Sequence, residues 1–128
     1  MMITAVYAAL LAVLFVVLSV AVIRQRRRLQ VALGSGGHSA LQRAMRVQAN
    51  FAEYTPFALL LLFLAEYSGL AGLWLHLLGA LLLLGRLSHA YGVSQEPEPL
   101  KFRVIGMVLT FSVLLLSALA ILVLYVSR

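Results

Sequence analysis

Apolar residues run along this chain in long stretches that are separated by short polar segments. A helix needs roughly 20 apolar residues to cross the hydrocarbon core of a bilayer. No stretch alternates as a membrane β-strand would, and an open sheet cannot span lipid. We therefore predict an all-α fold, a single four-transmembrane-helix bundle over residues 1–128, with spans at about 2–23, 43–67, 73–91 and 100–126.

Composition supports a chain surrounded by lipid. Hydrophobic residues make up 63% of it and charged residues only 11%, whereas a soluble domain is about half apolar and a quarter charged. The chain has no cysteine, which excludes disulfides, thiolate metal ligands and a cysteine nucleophile. Any thiol chemistry would therefore need a thiol that a substrate supplies. We see no motif for a metal site or for nucleotide binding.

The basic residues are unevenly distributed between the two ends of the predicted bundle. Of the ten Lys and Arg residues only Arg128 lies with the termini. The others lie at or near the segments 24–42 and 92–100: Arg24, Arg26, Arg27, Arg28, Arg43, Arg46, Arg86, Lys101 and Arg103. Positive residues favour the cytoplasmic side, so we expect both loops there and both termini on the extracytoplasmic side. The net charge of +6 thus indicates membrane orientation, and we expect no nucleic-acid partner.

Polar residues within the second span form one face of a helix. Arg46, Asn50, Glu53 and Tyr54 stand at i, i+4, i+7 and i+8, and Glu53 lies roughly 10 Å deeper than Arg46. Polar groups at membrane depth usually face a partner or a hydrated site. The residues alone leave open whether this face binds a ligand or joins helices. Pro56 should kink the span, because its ring leaves a carbonyl without a helical donor.

Further cations should reach the same depth from the other helices. Arg86 and His89 are i, i+3 neighbours near the end of the third span, and Lys101 and Arg103 begin the fourth. Together with the face of the second span, these residues predict a mainly cationic pocket, suited to a small ligand with several carboxylates and an amine. The alternative is that Arg86, Lys101 and Arg103 flank the spans and reach lipid headgroups.

The stretch from Arg46 to Pro56 (RVQANFAEYTP) resembles the second-helix signature of the MAPEG family, the membrane-associated proteins in eicosanoid and glutathione metabolism. That signature reads approximately R-x-x-x-N-x-x-E-x-x-P. Residues 85–92 (GRLSHAYG) resemble the end of the family's third helix, and Arg103 stands where the family places an arginine in its fourth. The resemblance covers nearly the whole chain.

The resemblance implies a homotrimer that binds glutathione, as a co-substrate, in clefts between protomers. Glu53 would take the amino group of glutathione, and Arg103 would lie near its sulfur. Arg86 would hold a glutathione carboxylate or join the second and third helices, and Arg24 or Arg26 would come from the adjacent protomer. The full implied site comprises Arg24, Arg26, Arg46, Gln48, Asn50, Glu53, Tyr54, Arg86, His89 and Arg103.

The implied activity is that of a glutathione transferase or peroxidase. A cation beside the sulfur lowers the thiol pKa, and the thiolate then attacks a lipophilic electrophile or hydroperoxide. His89, where the eicosanoid branch tends to have a tyrosine, and the acidic loop with Glu96 and Glu98 favour a bacterial-type member in an inner membrane. A trimeric scaffold or lipid-binding protein is the alternative. A transporter is the third reading, although its inverted repeat is missing.

Overall fold

A computed structural model describes residues 1–128 of the chain. The fold consists of four α-helices, and each is long and apolar enough to cross a membrane. This confirms the predicted all-α four-helix architecture. The helices are α1 (Ile3–Leu29), α2 (Ser39–Tyr67), α3 (Gly72–Val93) and α4 (Leu100–Val126).

The first connection differs from the expected loop at 24–42. Helix α1 continues to Leu29 and α2 begins at Ser39, so the arginines at 24–28 lie in the last turns of α1. Arginine is a good helix former, and the apolar pattern marks the extent of the lipid rather than the end of the helix. Gln30 ends α1 in the left-handed conformation, with φ 58°. The predicted loop at 92–100 likewise shortens to 94–99.

The helices pack so that α2 and α3 form the centre of the bundle. Each of them contacts all the other helices, whereas α1 and α4 do not touch and lie at opposite corners. The loops 30–38 and 94–99 lie at one end, which we call the loop end. The opposite end holds the termini and the turn at 68–71: the Ile3 amide donates to Glu66 Oε1 (2.5 Å), and Arg128 Nη2 donates to the Ser68 carbonyl (2.6 Å).

Glycines bring α3 and α4 into close contact near the loop end. A Cβ added to Gly106 would lie 2.7 Å from the carbonyl oxygen of Gly85, and one added to Gly92 would lie 2.7 Å from Phe102 Cβ. Small residues at helix crossings allow backbones to approach each other closely in membrane proteins. This contact fixes how the polar residues of α3 face those of α4.

Most of the chain remains accessible in the isolated bundle, since only 23 of its 128 residues are buried. Large apolar side chains cover the outside, and a soluble protein rarely exposes so continuous an apolar surface. Lipid is therefore the environment that this surface fits. Helix α2 continues through Pro56 as one uninterrupted helix from Ser39 to Tyr67.

Candidate functional site

The polar face predicted on α2 contains an ion pair that is open to the outside of the bundle. Arg46 Nη1 lies 3.7 Å from Glu53 Oε1, and each side chain is about half exposed, at 52% and 53%. Glu53 is the middle residue of the 29-residue helix. A carboxylate and a guanidinium are thus exposed on a segment that crosses the membrane.

Arg86 lies at the centre of the loop-end half of the bundle and is only 1% exposed. Its guanidinium donates to Asn50 Oδ1 on α2 and to Thr110 Oγ1 on α4, the latter at 3.3 Å. The ring centroid of Phe51 lies 5.9 Å from its Cζ. No carboxylate lies within 4 Å of it, and its Nε has no hydrogen-bond partner. Arg86 therefore joins three helices through neutral groups.

Helix α4 provides the acceptor for Arg86 in a fixed position. The Thr110 hydroxyl donates to the Gly106 carbonyl at 2.8 Å, which orients its oxygen toward Arg86. Gly106 lies against Gly85, the residue before Arg86. The close helix contact and the polar network are consequently parts of one arrangement.

His89 lies one turn after Arg86 and is 4% exposed. Its Cβ is 2.7 Å from the position that a Cβ on Gly106 would occupy, so the imidazole projects from the α3–α4 contact. Its Nδ1 is buried and has no hydrogen-bond partner. An imidazole nitrogen in this state is available to a ligand or a water molecule.

A cleft of about 170 Å³ lies between α2, α3 and α4 at the loop end. It brings together four residues expected in the site from three different helices, together with two apolar residues. Arg86 lies behind the cleft, where it donates a hydrogen bond to the lining residue Asn50. Glu53 lies beside the cleft, where it pairs with the lining residue Arg46. The lining consists of Arg46, Asn50, His89, Val93, Arg103 and Met107.

Other residues that were expected in the site lie outside this cleft. Gln48 and Tyr54 do not line it, and Tyr54 instead packs edge-on against Phe111 of α4, with ring centroids 5.6 Å apart. Arg24 is exposed on α1, and Arg26 Nη1 donates to the Gly34 carbonyl at 2.8 Å. Since α1 does not contact α4, neither arginine reaches the cleft of its own chain.

Arg103 is paired with a residue of the 94–99 loop. Its Nη2 lies 2.6 Å from Glu98 Oε1, and the same oxygen accepts from Arg43 Nη1 at 2.8 Å. The Glu98 side chain is 6% exposed, and its Oε2 is buried without a partner. The hydrogen bond from Arg43, with the charge and hydrogen bond of Arg103, holds the pKa of Glu98 below its ordinary value. Glu98 is thus an anion held between two arginines.

Sequence reasoning missed three contributors: Glu98 as a partner of Arg103, Met107 in the cleft, and Thr110 behind it. Met107 and Thr110 follow Arg103 at i+4 and i+7, so helical spacing from Arg103 would have placed them on its face. Glu98 lies in a loop, where no periodicity indicates direction. Arg43 was interpreted only as an orientation charge, but it anchors this loop.

The comparisons with known proteins agree with a four-helix membrane protein. The MAPEG family profile matches residues 4–123. Two relatives, each described as inner membrane protein YecN, come from Escherichia coli strain K12 and Escherichia coli O6:H1. Each is 40% identical over 119 residues, which cover 93% of this chain and 89% of the relative. The family match spans almost the whole bundle, and the chain therefore belongs to the MAPEG family of membrane proteins.

Proposed function

We propose that this protein binds glutathione at the cleft and stabilises its thiolate for attack on a lipophilic electrophile or hydroperoxide. The protein would act as a homotrimer, with the arginine-rich loop end on the cytoplasmic side. One observation carries the proposal: Glu53, a half-exposed carboxylate at the midpoint of α2, pairs with Arg46 at the edge of a cationic cleft.

The exposure of Glu53 supports a site that a second copy of the chain completes. Ionisable residues at membrane depth normally face a bundle interior or a hydrated cavity. Here Glu53 and Arg46 face outward from a single bundle, and each is about half exposed. A neighbouring protomer against this face would remove both groups from lipid and would close the cleft from the side. The exposure thus supports an assembly of several copies, and a trimer is the assembly that the family resemblance implies.

The polar groups of the site match those of glutathione. At neutral pH the tripeptide carries two carboxylates, one ammonium group and a thiol. Arg46 and Arg103 offer guanidinium groups for anions, and Glu53 offers a carboxylate for the ammonium. Arginine is well suited to carboxylates because its planar fork donates two parallel hydrogen bonds. Binding would separate the 3.7 Å pair of Arg46 and Glu53, since each would gain a partner of opposite charge.

Arg103 supplies the electrostatic part of the proposed chemistry. A guanidinium beside a sulfur favours the thiolate over the thiol and so lowers the thiol pKa. The chain has no cysteine, so the nucleophile belongs to the substrate. The contribution of the protein is then charge stabilisation and positioning. The electrophile would reach the cleft from the surrounding lipid.

The ultraviolet absorbance of bound glutathione thiolate tests this proposal. Purified protein with glutathione at neutral pH should give the thiolate band, and Arg103→Ala should abolish most of it. Lys101→Ala is the matched control. This substitution removes an equal charge from the same turn of α4, but Lys101 does not line the cleft. Absence of the band in the unmodified protein would count decisively against thiolate stabilisation.

A second candidate, a non-enzymatic scaffold or lipid-binding protein, is favoured by the internal pairing of the polar groups. Arg46 pairs with Glu53, Asn50 with Arg86, and Arg103 with Glu98. A network that serves only assembly predicts that Glu53→Gln weakens the trimer while glutathione leaves the Tm unchanged. The glutathione-binding proposal predicts a Tm that rises with concentration, because a ligand stabilises the folded state it binds.

A further inference from the structure

Glu98 contacts two arginines, and these differ in their exposure and in the number of their other contacts. Arg43 is 28% exposed and makes three contacts at the loop: Glu98 Oε1 at 2.8 Å, Glu96 Oε1 at 3.1 Å and the Val93 carbonyl at 3.0 Å. Arg103 is 46% exposed, and Glu98 is the only acceptor that it contacts. The carboxylate is therefore anchored to Arg43 on α2 and reaches Arg103 on α4 as a second partner.

The contact with Arg103 can be exchanged without isolating Glu98. If Arg103 turned away, Glu98 would keep its charge-assisted hydrogen bond from Arg43. Its second oxygen, Oε2, has no partner in the present arrangement and could accept from Arg43 instead. Arg103 has no such alternative within the chain, because no other carboxylate lies within 4 Å of it.

We propose that Glu98 is a positioning residue that occupies Arg103 as an internal anion and releases it when the sulfur anion of the ligand arrives. The inference rests on the proposed function, since it concerns the group that Arg103 would stabilise. Glu98 would hold the guanidinium at the cleft in the absence of ligand. It would also weaken binding, because a ligand anion must compete with a carboxylate that is already in place.

Repulsion between the two anions favours exchange at Arg103. Arg43 holds two carboxylates at once, but its second partner, Glu96, is 45% exposed and screened by water, whereas the Glu98 side chain is 6% exposed. A ligand anion beside the buried Glu98 carboxylate would therefore be repelled more strongly. Because its pKa is held below the ordinary value, Glu98 remains a carboxylate at neutral pH and cannot avoid this repulsion by taking up a proton. Neutralising Glu98 should therefore strengthen binding of a ligand only where that ligand places negative charge at Arg103.

Two analogues of glutathione that differ only in the charge at the sulfur test this expectation. Glutathione sulfonate carries a permanent anion at the sulfur, and S-methylglutathione carries none, while the rest of the tripeptide is the same. Their dissociation constants should be measured by calorimetry on the unmodified protein, on Glu98→Gln and on Glu96→Gln. Glu96 is the matched control, because it pairs with Arg43 but not with Arg103.

We expect Glu98→Gln to bind the sulfonate on the order of tenfold more tightly than the unmodified protein does, with S-methylglutathione unchanged. Glu96→Gln should change neither constant. In Glu98→Gln the pH at which the thiolate band of bound glutathione is half-developed should fall by about one, which is the same factor of ten. A merely structural role for Glu98 would weaken both analogues together and would not move this midpoint downward.

The outcomes separate this inference from the proposed function. If S-methylglutathione binds but the sulfonate binds equally to Glu98→Gln and to the unmodified protein, Glu98 does not compete and the inference is wrong. If neither analogue binds any variant, the glutathione site itself is wrong, and the inference fails with it. Glu98→Ala, which removes both oxygens, carries the same expectation and replaces Glu98→Gln if that variant does not fold.

Discussion

Arg86 and Arg103 lie on facing helices near the same cleft, but their charges are balanced in different ways. Arg86 is 1% exposed and contacts only neutral acceptors, Asn50, Thr110 and the sulfur of Met107. Arg103 is 46% exposed and pairs with the carboxylate of Glu98. The buried cation thus has no counterion, whereas the exposed one has a counterion at 2.6 Å.

The difference separates a fixed charge from an exchangeable one. A buried cation on α3 that is held by side chains from α2 and α4 cannot move without disturbing the packing of the three helices, so Arg86 adds a constant positive potential behind the cleft. Arg103 can turn, because its partner belongs to a loop and its side chain is 46% exposed. We interpret Arg86 as the support of the site and Arg103 as the group that responds to a ligand.

Disrupting the packing behind Arg86 should have the largest effect. In Gly106→Leu the new side chain would meet the Gly85 carbonyl and His89, both at 2.7 Å from the Cβ position, which should lower the free energy of unfolding by about 3 kcal/mol. Titration with sodium dodecyl sulfate from a mild detergent measures this change. Val108→Leu adds bulk to α4 on the lipid-facing side and should be nearly neutral. Equal stability of the two variants would contradict close packing of α3 against α4 at Gly106.

Removing one acceptor of Arg86 should have a smaller effect. Asn50→Ala leaves the buried guanidinium with Thr110 as its remaining side-chain oxygen partner, which should cost about 2 kcal/mol of unfolding free energy. The same detergent titration measures it, with Gln42→Ala as an exposed control on α2. A loss no larger than that of the control would mean that Arg86 does not depend on Asn50.

The smallest effect should come from the pairing of Glu98 with Arg43 and Arg103, and it should depend on pH. The pKa of Glu98 is lowered in the folded protein, chiefly by the hydrogen bond from Arg43, so its stabilisation is present above the unfolded pKa. It is lost as pH falls through the lower, folded pKa. The Tm of the unmodified protein should therefore exceed that of Glu98→Gln at neutral pH, and the gap should close on acidification. A gap that widened at low pH would contradict this assignment.

Sequence patterns were sufficient for the helices and for one side of the site. Uncharged apolar runs of membrane length leave little choice but helices, and the spacing of Arg46, Asn50 and Glu53 places them on one face. Arg103 and His89 could be expected near that face, because the ends of α3 and α4 lie at the same membrane depth. The cleft contains these residues except Glu53, which lies beside it.

The pairing of these groups could not be predicted in the same way. Whether Arg86 meets Asn50 or Glu53 depends on the rotation of α3 about its axis, which the contact between Gly85 and Gly106 sets. The partner of Arg103 depends on the path of a loop, and loops have no periodicity that fixes direction. The end of α1 was displaced because arginines continue the helix beyond the lipid, and α2 begins one turn before the predicted span, at Ser39, in a stretch without charges.

The position of Glu53 at the midpoint of α2 constrains the order in which the helices enter the bilayer. An acidic or basic residue at the centre of a lone inserting helix costs about 2.5–3.5 kcal/mol. Helix α1 carries no charge between Ile3 and Ile23 and can insert by itself, whereas α2 is better inserted as the second half of a hairpin with α1. The Arg46–Glu53 pair lowers the cost of that step. Because the pair still faces outward in the single bundle, its remaining cost in lipid would fall only if the proposed neighbouring protomer covered this face.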